Sequence, residues 1–253
     1  MDGFLIALGF LTVIPVRTAA GRTGDLGRAA AWFPVVGLLL GLALSLAQWL
    51  FLCLFSPALS GALLVALWAL LTGGLHLDGL ADCGDGMLAS ATPERRLEIM
   101  RDPRLGAFGG LTLILFLILK VLATAAMANR PLFAPGLAEA WLPAWPLVVA
   151  TVCSRWLVLL VGRQRGARTG GLGADFAQGI GPAGLIAAGL VTAVVIVLGG
   201  PRALVAVAVA HLLAWLVIRL ARARLGGITG DVLGLTIELT ELAILLIYAA
   251  NPI

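Results

Sequence analysis

The run AAAWFPVVGLLLGLALSLAQWLFLCLF, residues 29–55, contains no charged side chain. A helix that crosses the hydrocarbon core of a bilayer needs about 20 mostly apolar residues. Backbone groups without hydrogen-bond partners are too costly in lipid, so a membrane run of this length must be helical. The stretch Ala29–Phe55 therefore predicts a transmembrane helix, and it sets the fold class.

The composition of the whole chain agrees with that stretch. Hydrophobic residues make up 61% of the 253 residues and charged residues 12%, whereas soluble domains carry about 25% charged residues. An ordinary soluble enzyme, a disordered chain and a disulfide scaffold are thereby excluded. We expect an all-α, polytopic integral membrane protein with about seven transmembrane helices (six to eight), one domain over residues 1–253 and an active site at its cytoplasmic face. The further spans are predicted at Leu59–Leu75, Gly109–Met127, Trp141–Val161, Pro182–Leu198, Ala203–Ile218 and Gly234–Ala250. The run Phe4–Pro15 is too short to cross untilted, so spanning, re-entrant and interfacial placements all stay open.

The basic residues are distributed unevenly between the loops. If the chain changes sides at each span, 13 of the 17 Lys and Arg residues fall on one side, and only Arg130 and Arg202 on the other. Basic loops stay in the cytoplasm, which explains the net charge of +4 without a nucleic-acid partner. Most carboxylates fall on the same side, and this one-sidedness favours an active site at the cytoplasmic surface over a transporter or channel.

The stretch GGLHLDGLADCGDG, residues 73–86, holds three closely spaced carboxylates, Asp78, Asp82 and Asp85. Their i, i+4, i+7 spacing puts them on one face of a helix, where like charges repel unless a cation neutralises them. Mg²⁺ prefers carboxylate oxygens together with substrate phosphates. The pattern predicts a Mg²⁺ site, and a solvated acidic turn is the alternative. His76 either contacts a phosphate or lies at a helix end.

A second stretch, residues 92–110, begins a helix at Thr92 with Pro93 in its first turn and ends in glycines. Arg101 and Arg104 flank Asp102 in it, and arginine binds phosphate with two parallel hydrogen bonds. We expect these three residues to contact substrate. Anchoring at the cytoplasmic surface is the alternative for the arginines.

A third stretch, LGGITGDVLG at residues 225–234, places Asp231 at a helix start among closely spaced glycines. Such glycines let backbone N–H groups approach an anion, and Asp231 is expected to bind substrate or metal.

Charged side chains inside spans are costly and are candidates for function. Glu238 and Glu241 share one helix face, and Arg155 lies at about the depth of Glu241, so we predict that it pairs with Glu241 or Glu238. Lys120 lies deeper and needs a polar cavity or an acidic partner. Substrate contact is expected of both Arg155 and Lys120.

Taken in order along the chain, these stretches resemble the cobalamin synthase family, the adenosylcobinamide-GDP ribazoletransferases. The resemblance also includes Gly171-Leu-Gly-x-x-Phe176 and covers almost the whole chain. Two positions depart from it, since Pro103 stands where the family usually has Ser and Ala107 where it has Thr.

The resemblance implies a Mg²⁺-dependent enzyme of the bacterial inner membrane. It would join adenosylcobinamide-GDP to α-ribazole or its 5′-phosphate and release GMP. The metal ligands would be Asp78, Asp82 and Asp85, and the catalytic residues Asp82, Asp85 and His76. Asp85 is favoured as the general base over His76, because it lies furthest along the acidic face.

Two other functions stay open. CDP-alcohol phosphotransferases also use a helical Asp cluster at a membrane surface, so lipid headgroup transfer is the alternative, although this chain lacks their Asp-Gly-x-x-Ala-Arg pattern. A role as a transporter or scaffold is a third possible function. The expected partners are the small-molecule substrates and membrane lipid, and homo-oligomer formation is left open, as are the lower base and the number of Mg²⁺ ions.

Overall fold

The computed structural model describes residues 2–16, 25–128, 145–167, 176, 179 and 181–250. Within these ranges the chain is helical apart from turns, and the single isolated bridge joins Gly166 to Ile228. The all-α prediction is confirmed. The helices are α1 (Asp2–Leu11), α2 (Asp25–Ala29), α3 (Phe33–Leu54), α4 (Pro57–Leu71), α5 (Leu75–Leu88), α6 (Pro93–Ile99), α7 (Ala107–Ala128), α8 (Trp145–Gly162), α9 (Pro182–Leu198), α10 (Gly200–Leu225) and α11 (Gly230–Ala249).

Five helical segments in the described part of the chain are long and apolar enough to cross a membrane. The first runs from Asp25 to Leu54, where α2, a 3₁₀ turn and α3 follow one another, and the others are α7, α8, α10 and α11. The polytopic membrane fold is therefore confirmed. The count of seven is not, because α9 has only 17 residues and α4 with α5 forms at most one bent span.

The bent pair shows why the predicted span Leu59–Leu75 was wrong in length. α4 ends at Leu71 after 15 residues, and its axis meets that of α5 at 94°. Gly73 and Gly74 make the bend with φ of +65° and +69°, a left-handed conformation that glycine adopts without steric cost. The bend turns the acidic helix α5 out of the direction of α4.

The short helix α1 lies beside that bend. It covers ten residues, about half of what a bilayer crossing requires, and it packs against α2 and α3. Just after it, the Val13 N–H donates to the Leu71 carbonyl at 2.9 Å. The Phe4–Pro15 run is thus fixed to the rest of the fold, and of its three placements the spanning one does not fit.

The helices divide into an inner and an outer group. Most of α8 and α11 is buried inside the protein, whereas α3, α7 and α10 bury only about a third of their spans. α11 packs against α5, α8 and α10, and α8 also packs against α3. Large apolar side chains on the outer helices, such as Leu46, Ile114 and Leu204, are exposed, as expected of surfaces that face lipid.

A cluster of four charged side chains lies in the core between α7, α8 and α11. The Lys120 ammonium donates to Glu238 at 2.7 Å and to Glu241 at 2.8 Å, and Arg155 pairs with the other oxygen of Glu241. None of the four side chains is more than 3% exposed. The ring of Trp68 on α4 lies 4.0 Å from the Lys120 ammonium. The predicted pairing of Arg155 is confirmed. Of the two surroundings expected for Lys120, a polar cavity or an acidic partner, the structure shows the acidic partner.

Removing one charge from this cluster is expected to be severe, because it leaves a buried partner uncompensated. We predict that Glu241→Gln lowers the free energy of unfolding by about 3 kcal/mol or more. Glu98→Gln is the matched control, since its exposed pair with Arg95 contributes less than about 1 kcal/mol. Thermal unfolding of the full-length protein in detergent would measure both. Equal losses for the two variants would contradict a structural role for the cluster.

Candidate active site

The acidic face of α5 is confirmed as a helix face, and it lies on the far side of the glycine bend. Asp78 is exposed, while Asp82 and Asp85 are partly buried. Because charged side chains in lipid are costly, we expect this face of α5, with its three carboxylates, to be in contact with water and not with lipid. α5 packs against α7 and α11, which bring further polar groups to it.

The start of α11 adds a fourth carboxylate. Thr229 caps the helix by accepting a hydrogen bond from the Val232 N–H at 3.3 Å, and its hydroxyl donates to Asp231 at 3.2 Å. A side chain on Gly79 would stand 2.8 Å from the Asp231 carbonyl oxygen, so only glycine permits α5 and α11 to approach this closely. This crossing brings Asp231 next to the acidic stretch of α5.

The pKa of Asp82 shows that these carboxylates lie close together. Partial burial, together with the negative charges of Asp78, Asp231 and Asp85, raises the pKa of Asp82 to about 7. A carboxyl group with this pKa is stabilised in its neutral form by its neighbours. The cluster therefore carries more negative charge than its protein surroundings compensate.

Asp85 is held differently from the other two acids of α5. Its carboxylate accepts hydrogen bonds from the N–H groups of Gly106 and Gly109, both at 2.8 Å, at the start of α7. This is the arrangement of an acidic residue at a helix N-terminus, where free N–H groups and the helix dipole favour a carboxylate. Asp85 thus joins α5 to α7, besides any chemical role.

The donor chemistry of this cluster suits a hard divalent cation. No group of three metal-binding side chains in the described ranges is arranged to hold an ion by itself. Mg²⁺ does not require one, because it usually takes only one or two protein carboxylates and completes its shell with water and substrate phosphates. Asp78, Asp82 and Asp231 are the residues that could supply those ligands.

Two cavities open at opposite ends of the acidic face. The first, about 280 Å³, reaches from Asp78 and Asp231 to His76 and the rings of Phe10, Phe33 and Phe176. The second, about 360 Å³, is lined by Asp85, Arg95, Glu98, Ile99, Asp102, Arg104, Leu105 and Gly106. Asp82 lies on α5 between the two acids that mark these cavities, so the helix links them.

The second cavity contains part of the predicted substrate-binding set. Arg104 donates to both oxygens of Asp102, at 2.9 and 2.6 Å, and these hydrogen bonds lower the pKa of Asp102 to about 2. Arg101 is exposed but does not line this cavity. Arg95 does line it, although it was not among the predicted substrate-binding residues.

Arg155 and Lys120 lie away from both cavities. Both are enclosed in the charge cluster of the core and line neither cavity. Their expected contact with substrate therefore stays a prediction.

Several residues of the site were missed by sequence reasoning. Thr229 had a usable signal, since Thr-Gly-Asp before an apolar run is a helix start. Arg96 had none. Its guanidinium donates to the carbonyls of Gly86, Met87 and Ala91 at 3.3, 2.5 and 2.8 Å and so ends α5. The three phenylalanines come from distant parts of the chain, and only folding brings them together.

Comparison with known proteins gives a consistent result. A family model described as cobalamin-5-phosphate synthase matches residues 3–249. A Pseudomonas entomophila protein named adenosylcobinamide-GDP ribazoletransferase is 41% identical over 246 residues, covering 96% of each chain. Proteins of the same name from Ralstonia nicotianae and a Roseiflexus species are 40% and 36% identical, covering 97% and 94% of this chain and 93% and 86% of theirs. No solved structure matches the chain significantly.

Asp85 is hydrogen-bonded to backbone N–H groups and Asp78 is exposed, so the two residues should contribute differently to the free energy of unfolding. We predict that Asp85→Ala lowers the free energy of unfolding by about 1 kcal/mol, because the N–H groups of Gly106 and Gly109 lose their acceptor. Asp78→Ala removes a like charge from an exposed position, and its effect should stay within about 0.5 kcal/mol. Thermal unfolding in detergent would compare them. If Asp78→Ala were the more damaging change, the assignment of Asp85 to the start of α7 would be wrong.

Proposed function

Because the chain belongs to the cobalamin-5-phosphate synthase family, we propose that it is an adenosylcobinamide-GDP ribazoletransferase. It joins adenosylcobinamide-GDP to α-ribazole or α-ribazole 5′-phosphate and releases GMP. The observation that carries the proposal is a row of carboxylates between two cavities, in a chain that is 36–41% identical to relatives with that name. A reaction of two substrates needs two neighbouring sites.

The reaction is a phosphoryl transfer from a diphosphate to an alcohol. An oxygen of the acceptor's ribose bonds to the phosphorus next to cobinamide, and the bond from that phosphorus to the bridging oxygen breaks. The bridging oxygen leaves with GMP, and the hydroxyl proton passes to a base. Such reactions are catalysed mainly by positioning and by neutralisation of charge.

The second cavity suits the diphosphate of the donor. Arg95 and Arg104 line it, and an arginine fork can bind two phosphate oxygens at once. In the structure the Arg104 guanidinium forms an ion pair with the Asp102 carboxylate. The pair is solvent-exposed, so a diphosphate can take the place of the Asp102 carboxylate. Arg101 stays in the proposal as a further phosphate contact from the same loop.

We favour Asp82 as the general base. Sequence reasoning preferred Asp85, but both oxygens of Asp85 already accept backbone hydrogen bonds. Asp82 lies between the acids that mark the two cavities, which is where the acceptor hydroxyl and the donor phosphorus must meet. A base must be within hydrogen-bond reach of the proton it removes, and Asp82 has the better position.

Mg²⁺ is the proposed cofactor, and Asp78 and Asp231 are its proposed ligands beside the base Asp82. The sequence also predicted Asp82 and Asp85 as ligands, and these two stay predictions, because Asp82 is favoured as the base and both oxygens of Asp85 already accept backbone hydrogen bonds. A bound Mg²⁺ would supply positive charge to the diphosphate oxygens. The observation that supports this proposal is the negative charge of the carboxylate cluster, which the surrounding protein does not compensate.

The enzyme is proposed to work in the bacterial inner membrane, with its site facing the cytoplasm. Support comes from the excess of basic residues on the side of the acidic helix. In sealed right-side-out vesicles, substrates added outside should give almost no GMP, and inverted vesicles should be active. Equal GMP release in both orientations would overturn this placement. Lipid contacts and oligomeric state stay predictions.

The reaction itself is tested by GMP release from the purified full-length protein in liposomes. With α-ribazole present, we expect release from adenosylcobinamide-GDP that depends on Mg²⁺ and stops with a chelator. A CDP-alcohol lipid donor should give no CMP. Glu94→Gln is the control, because it removes a carboxylate on α6 that lies outside both cavities. It should leave the rate of GMP release unchanged. Turnover of the lipid donor alone would contradict the proposal in favour of headgroup transfer.

A further inference from the structure

The first cavity has aromatic walls that no step of the transfer reaction explains. The Phe10 and Phe33 rings stack with centroids 5.8 Å apart and planes at 14°, and the Phe176 ring lies 5.6 Å from that of Phe33. Val158 and Ile237 extend the apolar lining. Aromatic and aliphatic walls of this kind bind flat apolar rings.

His76 is the polar group in the depth of this cavity. It is only 3% exposed, and neither ring nitrogen has a hydrogen-bond partner among the described residues. A buried polar group without a partner is costly. The imidazole ring of His76 in its neutral form offers one N–H donor and one acceptor to a molecule in this cavity.

The polar groups at the other end of the cavity are of a different kind. Asp78 is exposed and Asp231 is half-buried, and both belong to the carboxylate cluster. A ligand here meets apolar rings, the imidazole of His76 and the Thr229 hydroxyl, which is already hydrogen-bonded to Asp231 and the Val232 N–H, and it meets carboxylates at the mouth. The cavity has a volume of about 280 Å³, near the lower limit of about 300 Å³ for pockets that hold drug-sized molecules, and it is far too small for a corrinoid ring.

We propose that this cavity binds the base of the acceptor nucleoside, a flat fused-ring azole whose one unshared ring nitrogen accepts a hydrogen bond from His76. The inference rests on the proposed function. The attached ribose then reaches the mouth of the cavity at Asp78 and Asp231, about one turn of α5 from Asp82, the proposed base for its hydroxyl. The depth of the cavity therefore sets which bases are accepted, and the carboxylates at the mouth serve the transfer.

The guanine of the donor is the competing occupant, and its chemistry fits poorly. Guanine has an amino group, a carbonyl and several ring nitrogens along its edges. Against apolar walls with one imidazole, most of these groups would lose their hydrogen bonds to water without replacement, which is unfavourable. A benzimidazole nucleoside has one such nitrogen. It matches His76, the buried side chain of this lining whose ring nitrogens have no partner among the described residues.

The proposal is tested with two acceptors, benzimidazole riboside and the indole riboside in which CH replaces the unshared ring nitrogen. The readout is kcat/KM for GMP release by the full-length protein in liposomes. The wild type should prefer benzimidazole about tenfold, the effect of leaving a buried hydrogen-bonding group unpaired. His76→Leu should reduce the preference to about one, and His76→Gln, which keeps a donor, should restore part of it. A wild type without preference, or a preference that His76→Leu leaves intact, would overturn the role of His76.

A matched pair of substitutions on α1 tests the role of the aromatic wall. Phe10 lines the cavity, whereas Phe4 packs against Trp32 outside it. Phe10→Leu should raise KM for the acceptor about fivefold or more with KM for the donor unchanged, and Phe4→Leu should change neither. If Phe10→Leu instead raises the donor KM or weakens inhibition by GMP, the cavity holds guanine and the proposal is wrong.

Failure of the proposed function can be told apart from failure of this inference. If no variant releases GMP, equilibrium dialysis of benzimidazole riboside with the wild type, Phe10→Leu, Phe4→Leu and His76→Leu measures the subsite directly. Weaker binding by Phe10→Leu and His76→Leu alone would support the subsite without the reaction. Equal binding by all four proteins would overturn it. Thermal unfolding in detergent would show that each variant is folded.

Discussion

Two cations and two carboxylates buried between α7, α8 and α11 are the constraint on which the rest of the structure depends. Removing a charged group from water costs several kcal/mol even after relaxation, so Lys120, Arg155, Glu238 and Glu241 are tolerated only while they are paired. Sliding α11 by one turn would separate these pairs. The pairing thus fixes α11 beside α5, and with it the approach of Asp231 to Gly79 that completes the carboxylate cluster.

The parts of the fold that the sequence could predict follow from strong local rules. Charged residues inside apolar runs need opposite charges or a polar cavity. The similar depths of Arg155 and Glu241 predicted that Arg155 pairs with Glu241 or Glu238, whereas for Lys120 a polar cavity and an acidic partner both stayed open. The acidic face of α5 followed from the i, i+4, i+7 spacing. The Thr92 start of α6 followed from helix capping, and the side chain accepts from the Arg95 N–H as expected.

What the sequence could not show depends on geometry between distant segments. Hydropathy averages over residues 59–75 and does not detect a 94° bend at two glycines, so the predicted span ran past the end of α4 and the count of seven stays unconfirmed. Nothing local to Asp85 indicates that Gly106 and Gly109, more than 20 residues later, will donate to it. The same holds for Phe10, Phe33 and Phe176, which come from three separate regions of the chain.

The central claim is that the acids of α5 and Asp231 of α11 act as one catalytic centre between the two cavities. A double-mutant cycle on GMP release with Asp82→Asn and Asp231→Asn tests it most directly. The account predicts that each variant loses at least about 100-fold in rate and that the double variant is about as slow as the slower single one, because groups that act as a unit are non-additive. Losses that multiply fully, or single variants with near-normal rates, would contradict it.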